Sequence, residues 1–415
     1  MKELWRSLGA DKKIALAIIT AALGYFVDVY DLVLFSILRV ASLKDLHVAP
    51  EDMLRLGAHL LNAQLAGFLI GGLVWGIIGD RIGRTHVLFG SILLYSAANL
   101  ANAFVTATGP YALCRLLAGI GLAGEIGAGI TLVSELMPKE VRGYGTTIVA
   151  TVGVMGGMVA GFTGHFLHWQ TAYIVGGILG FGLLALRVAV SESGLFERVK
   201  EKAGVARGNF LMLLHPSRFF RYLACIFIAM PTWYGVAVLV TFAPEIGRAL
   251  AIRGEVQVAA ALPFCYLGIT LGDFASGMLS QLWGSRKKAI ALFCAGGAAV
   301  TSCLPLLHGG TPALFYAFCT ALGFCLGFWV LMLTVAAEQF GTNLRATVAT
   351  SVPNFVRATG ILCTSSFAAL RPLGTVESAL IVGAGSFAVA ALALAVLRET
   401  FGRDLDFIEE PYSAA

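Results

Sequence analysis

Asp28 and Asp31 stand in the stretch GYFVDVYDLVLF, Gly24 to Phe35, inside an otherwise apolar run from Ile14 to Val40. Three residues apart, their side chains share one face of a helix. A carboxylate at the centre of a membrane helix costs about 2.5–3.5 kcal/mol on insertion scales, so two of them need partners or a task. Glu125 is a third acid in an apolar run, and Arg115 and Arg357 are the arginines counted within such runs. Carboxyl groups gathered away from water can hold and release protons, which is the chemistry of a proton carrier. Arginine keeps its proton and offers a planar fork that fits a carboxylate, so Arg357 is a candidate anion site, with Asn354 one turn earlier on the same face. Two structural alternatives stand beside these readings. Arg115 can pair permanently with one of the acids, and Arg357 can form a fixed bridge to Asp28 or Asp31.

The elements that must position these residues are membrane helices. The chain has 415 residues, of which 58% are hydrophobic and 13% charged, against about 25% charged in ordinary soluble domains. Its mean hydropathy is +0.83. A span needs roughly 20 apolar residues and irregular backbone cannot face lipid, so the runs predict an all-α protein. Twelve spans are expected, at 13–40, 56–80, 86–106, 109–136, 142–167, 170–190, 221–249, 256–282, 287–307, 311–339, 344–370 and 375–398. The first run is too long for a signal-peptide core and lacks a cleavage site, so it is read as a retained span. With both termini cytoplasmic, most of the 29 Lys and Arg fall in cytoplasmic segments, as the positive-inside rule requires. The expected localisation is an inner, cytoplasmic membrane.

The domain organisation follows from a basic polar stretch in the middle of the chain. Residues 1–190 form one six-helix bundle, 191–220 a cytoplasmic linker, 221–398 a second bundle and 399–415 a cytoplasmic tail. The halves repeat weakly. LIGGLVWGIIGDRIGR (69–84) aligns with TLGDFASGMLSQLWGSR (270–286) at an offset of 201, pairing Gly71 with Gly272. Glu135 to Arg142 aligns with Glu338 to Arg345 at an offset of 203. Shared small residues let helices approach closely and are read as scaffold. The chemistry is expected where the repeat breaks. At an offset of 203, Asp28 meets Pro231, Asp31 meets Tyr234, Glu125 meets Phe328 and Val154 meets Arg357. The acids belong to one half and the arginine to the other.

GDRIGR, Gly79 to Arg84, resembles the cytoplasmic loop signature of the major facilitator superfamily, and RLLAGIGLAGEIG, Arg115 to Gly127, resembles its fourth-span pattern. The resemblance covers the whole chain. It implies a transporter of two pseudo-symmetric six-helix bundles that alternate access around a central site, with spans one and four lining the cavity. It also implies gating work for Asp80, Arg81, Arg84, Glu135, Arg142, Glu338 and Arg345. RATVATSVPNFVRATG, Arg345 to Gly360, places Arg357 as in the aromatic-acid proton symporters and organic-anion transporters, and DxxDL, Asp28 to Leu32, is similar to the former. VDVYDLVLF with GIGLAGEIG resembles the phosphate:proton symporters instead. The chain departs from that branch, which leads one to expect a lysine deep in a C-terminal span where this sequence has none, and its fourth-span glycine pair is Ala123-Gly124 here.

The expected function is proton-coupled symport of a small organic anion, a carboxylate. The alternative is inorganic phosphate or a phosphorylated metabolite, with transport of a divalent metal ion a lesser one. Arg357 and Asn354 are expected to bind the substrate, with Trp233, Tyr234 and Phe328 as cavity walls. Asp28, Asp31 and Glu125 carry protons; Asp273 is a further proton site or the partner of a base such as Arg286. No nucleophile, base and orienting acid recur together, so no enzyme is expected. No His or Cys joins the acids at ligand spacing and Arg357 would repel a cation, so no metal site is assigned. The expected partners are the anion, protons and the lipid bilayer, without nucleic acid and without a cofactor beyond the proton gradient, in a monomer. The eight cysteines lack paired spacing and are read as small buried hydrophobes.

Overall fold

The computed structural model of the protein describes residues 12–82, 84–125, 142–191, 212–213, 215–402 and 409. Among these residues there are helices and no strands. The cause is the solvent: in hydrocarbon every peptide N–H and C=O must be satisfied within its own segment. Among the described residues seven stretches are long and apolar enough by themselves to cross a membrane, two of them, Arg218–Val240 and Pro312–Glu338, made of more than one helix.

The chain divides into two compact units, Met1–Ala49 with Ala63–Val205, and Pro50–Asn62 with Ala206–Ala415. The first is built from α1 (Lys12–Asp45), most of α2 (Met53–Ile82), α3 (Arg84–Asn102), α4 (Thr108–Leu122), α5 (Arg142–Phe166) and α6 (Trp169–Ser191). The second contains α7 (Pro216–Phe227), α8 (Met230–Tyr234), α9 (Ala243–Ala249), α10 (Val258–Leu282), α11 (Arg286–Ser302), α12 (Pro312–Leu326), α13 (Trp329–Glu338), α14 (Thr342–Leu370) and α15 (Thr375–Val396).

The repeat is visible as packing. A Cβ at Gly71 would come within 2.4 Å of Ile120 O, bringing α2 against α4. A Cβ at its counterpart Gly272 would come within 2.1 Å of Phe324 O, bringing α10 against α12. In both units the missing side chain lets two backbones meet, as in small-residue membrane interfaces.

Spans four, seven and ten depart from continuous helix. α4 ends at Leu122 and the chain turns through Ala123 and Gly124 to Glu125, with Glu125 N–H on Leu122 O at 3.2 Å. Span seven is divided into α7, α8, a π-helical turn Gly235–Val240 and α9. Pro231 and Pro244 stand in the first turns of α8 and α9, where a missing N–H is tolerated. Thr241 Oγ1 donates to Val236 O at 2.8 Å within the wide turn. Span ten is interrupted at Gly327 and Phe328, between α12 and α13. The two interruptions meet: Thr232 Oγ1 donates to Leu326 O at 3.3 Å, occupying a carbonyl at the break.

Candidate functional site

Three of the four candidate proton sites, Asp28, Asp31 and Glu125, lie in the first unit and are buried. Asp31, on α1, has Arg115 of α4 as its main opposing charge, Asp28 as a like charge and the Asn99 amide of α3 beside it. Arg115 is held by Asn99, donating from Nη2 to Oδ1 at 2.7 Å, and its guanidinium carbon lies 4.8 Å over the Tyr173 ring. Tyr173 is fixed in turn by its hydroxyl contact with Tyr111 at 2.7 Å. Gly176 of α6 makes room for the acid, since a Cβ there would stand 2.6 Å from Asp31 Oδ1. Both Asp31 oxygens are without a well-formed hydrogen bond among the described residues.

Glu125 is presented by the turn after α4. Trp75 Nε1 holds the Ile120 carbonyl at 2.6 Å, and Gly124 backs onto Ser91, where a Cβ would come within 2.6 Å of Ser91 Cβ. The carboxylate accepts from Ser91 Oγ at 3.0 Å and from Arg187 on α6 at 3.1 Å to Oε1 and 2.9 Å to Oε2. Both side chains of this two-pronged pair are almost wholly buried, at 5% and 2% exposure. Gly24 opens the place for the guanidinium, because a Cβ there would meet Arg187 Nη2 at 2.4 Å. Asp28 is a like-charge neighbour of Glu125 as well as of Asp31, so the three acids form one electrostatic group.

Arg187 was missed at the sequence level because it lies near the end of span six, where a positive charge reads as a boundary residue. Arg39 was missed in the same way at the other end of span one; it too is fully buried. The signal that could have found Arg187 is the repeat. At the offset of 203 its counterpart is Ala390, just as that of Glu125 is Phe328. An acid and a base absent together from the second half are a candidate pair.

The second unit holds the other candidates. Asn354 and Arg357 are buried one turn apart on α14, which also carries Pro353 inside the helix. Trp233 and Tyr234 are buried at the end of α8, and Phe328 is buried in the span-ten break. Tyr234 donates its hydroxyl to Ala379 O at 2.7 Å and meets Phe387 edge-on, so its polar end is engaged inside its own unit. Asp273 Oδ1 accepts the N–H of Val330 at 3.2 Å, and Trp329 N–H is a further donor, so the carboxylate sits at the start of α13. The alternative partner of Asp273 is engaged elsewhere, since Arg286 pairs with Glu338 at 3.3 Å.

Of the expected gating residues, Asp80 and Arg81 end α2, Arg84 opens α3 and Arg142 opens α5, while their side chains, and Glu135 entirely, lie outside the described residues. Glu338 accepts from Thr400 Oγ1 at 2.6 Å as well as from Arg286, and Arg345 Nε donates to Ala337 O at 3.3 Å. Beyond α15, Glu399 accepts the Ser285 hydroxyl and the N–H groups of Arg286 and Lys287 at 3.0 and 3.1 Å. Partial burial opposes its charge, but the Ser285 hydroxyl and the amides of Phe401, Arg286 and Lys287 outweigh it and hold the carboxyl at about 2. Among the described residues no group of three His, Cys, Asp or Glu is placed to hold a metal ion.

The sequence pattern of the Major Facilitator Superfamily matches residues 15–365. The chain belongs to that superfamily. The fold agrees: the proton:xylose symporter XylE, bound to 6-bromo-6-deoxy-D-glucose, superposes with a TM-score of 0.69 over 95% of this chain and 98% of that one, at 15% identity. The twelve-helix, two-bundle architecture of a superfamily transporter is therefore that of this multi-pass membrane protein. Among curated superfamily relatives, the putative niacin/nicotinamide transporter NiaP of Bacillus subtilis is 24% identical over 82% of this chain and 84% of its own length. The benzoate transport protein of Acinetobacter baylyi is 23% identical over 80% and 78%. The 3-(3-hydroxy-phenyl)propionate transporter of Escherichia coli is 31% identical over a shorter region, 38% and 40%.

Proposed function

We propose that this superfamily member is a proton-coupled symporter that imports a small organic anion, specifically an aromatic monocarboxylate of the size of benzoate or nicotinate, by alternating access across the inner membrane, with both termini cytoplasmic. The observation that carries the reading is the buried acid group of the first unit: three carboxyl groups, two of them facing arginines. Charges so placed are expensive in a membrane protein, and two of the relatives are named as a putative niacin/nicotinamide transporter and a benzoate transport protein. In this reading Arg357 grips the substrate carboxylate with both prongs of its fork, Asn354 adds a hydrogen bond, and Asp28, Asp31 and Glu125 take up protons. Proton and anion together leave less isolated charge than either alone. The loaded carrier therefore rocks while the half-loaded one resists, which is coupling through the relative stability of states.

The test uses purified protein in liposomes with an inside-alkaline gradient and radiolabelled benzoate or nicotinate outside. Wild type should concentrate the label. Arg357→Ala should abolish binding in a folded, detergent-soluble protein, and Arg357→Lys should restore little, because a point charge lacks the planar fork. Asp31→Asn and Glu125→Gln should lose uphill accumulation and keep counterflow exchange. Unchanged ligand affinity in Arg357→Ala would reassign that arginine to structural pairing. Gradient-driven accumulation by both acid variants would remove the proton assignment.

A further inference from the structure

Tyr95 of α3 is completely buried, and its hydroxyl has no hydrogen-bond partner among the described residues. A buried tyrosine hydroxyl ordinarily finds one. Its position is not loose. The residue is clamped between two glycines, one on each neighbouring helix: a Cβ at Gly121 of α4 would come within 2.7 Å of Tyr95 Cβ, and one at Gly180 of α6 within 3.0 Å of Tyr95 Cε2. The phenol is thus aimed by the fold, and the groups in electrostatic reach of it are Glu125, Asp31, Arg187 and Asp28. These are the charged members of both halves of the acid group. On α3 it stands one turn after Ser91, which bonds Glu125, and one turn before Asn99, which bonds Arg115, so it lies on the face between the two halves of the group; Asp28 and Asp31 of α1 and Arg187 of α6 are its other charged neighbours.

Two carboxyl groups that carry protons in one transport cycle must be able to exchange them or stay independent. Arg187 grips both Glu125 oxygens, and Arg115 opposes Asp31 on the other side. Between them a hydroxyl can both give and take a proton, whereas the apolar walls cannot.

We propose that the Tyr95 hydroxyl relays a proton between Glu125 and the Asp28–Asp31 pair, an inference that rests on the proton-coupled reading above. The phenol gives its proton to one carboxylate and its oxygen then takes the proton of the other carboxyl group, the hydroxyl reaching each in turn. Tyrosine is regenerated, one acid is protonated, the other is deprotonated, and no net charge is created. Arg187 and Arg115 balance whichever carboxylate is left charged.

Tyr95→Phe removes one oxygen and keeps the ring between its glycines. In liposomes, gradient-driven benzoate uptake should slow on the order of 100-fold, the scale of a lost proton-transfer group. Counterflow of labelled benzoate at equal pH should remain, and the pH dependence of uptake should lose one of its steps. Wild-type uptake and an unaltered pH profile in Tyr95→Phe would overturn the relay. A second readout does not need transport. In infrared difference spectra recorded on acidification of purified protein, the carboxyl band assigned to Glu125 by its loss in Glu125→Gln should shift in Tyr95→Phe. An unmoved band overturns the relay. Failure of wild type to accumulate benzoate or nicotinate would overturn the proton-coupled reading instead, with the infrared band still deciding whether Tyr95 contacts the acid.

Discussion

The Glu125–Arg187 pair admits a quantitative test through the variants Glu125→Gln, Arg187→Met and their combination. The contact is two-pronged, at 2.9 and 3.1 Å, and nearly dry. At an effective dielectric constant of about 20, opposite unit charges 2.9 Å apart attract by roughly 6 kcal/mol, and removing each ion from water costs several kcal/mol. The intact pair is therefore close to neutral for stability, while breaking it is not. Arg187→Met leaves Glu125 buried with only the Ser91 hydroxyl and should destabilise by about 3–5 kcal/mol at a pH where the acid stays charged. Glu125→Gln leaves a buried guanidinium that keeps one acceptor and should cost somewhat less. In the double variant neither charge remains, so it should recover much of the loss, giving a coupling of about 2–4 kcal/mol. Reversible unfolding in mixed micelles, followed by tryptophan fluorescence, measures the cycle. Single effects that add to within about 0.5 kcal/mol would show that the two side chains do not act on one another, and the site geometry would have to be withdrawn.

Glu399→Gln should lower thermal stability near neutral pH. A carboxyl held at about 2 in the folded protein against an ordinary 4.5 contributes stability above about 4.5 that is lost as pH falls toward 2, so the gap between variant and wild type should close over that window in a pH series of unfolding scans. Asp273→Ala should release the first amides of α13, costing about 0.5–2 kcal/mol and speeding hydrogen exchange at Trp329 and Val330, whereas Asp273→Asn keeps an acceptor and should preserve most of the protection. Equal exchange in the two variants would deny Asp273 that capping role. Writing the second half's residues into the first, as Glu125→Phe with Arg187→Ala, should give a protein at least as stable as wild type in detergent and unable to concentrate substrate; proton-driven accumulation by it would free the pair from any part in coupling.

The helices were legible in the sequence because hydrocarbon leaves the backbone no other choice, and every predicted span overlaps helix among the described residues. Their interruptions were not. Pro231 and Gly327 are ordinary in membrane helices, and the breaks exist because Thr232 and Asp273 reach across from neighbouring elements to satisfy freed groups. Asp28, Asp31 and Glu125 announced themselves by the cost of carboxylates in apolar runs, and the structure gathers all three in one unit. Arg187 was hidden by its place near a span end. Tyr95 was hidden more thoroughly, since one tyrosine among 11 carries no signal until its neighbours are known.

The pseudo-symmetry explains why the first unit can hold these charges. Tyr234 stands at the position of Asp31, and Ala379 at that of Gly176, by the same offset of 203. In the first unit a Cβ on Gly176 would crowd Asp31 Oδ1; in the second, the Tyr234 hydroxyl reaches Ala379 O at 2.7 Å. The two contacts occupy equivalent places in their helical frames, one with a carboxylate and one with a neutral phenol that its backbone acceptor satisfies. Likewise Glu125 and Arg187 correspond to Phe328 and Ala390, both fully buried. Apolar side chains fill such places without ion pairing, and replacing a buried pair by them is often neutral or stabilising. Stability alone therefore gives no reason to keep Glu125, Arg187 and Asp31 charged in one unit when the other shows the uncharged solution at the same positions. In the proposed proton-coupled function, what the charges supply and the apolar set cannot is a change of state on proton uptake, and a carrier needs that change in only one of its two halves to make the loaded and empty forms differ.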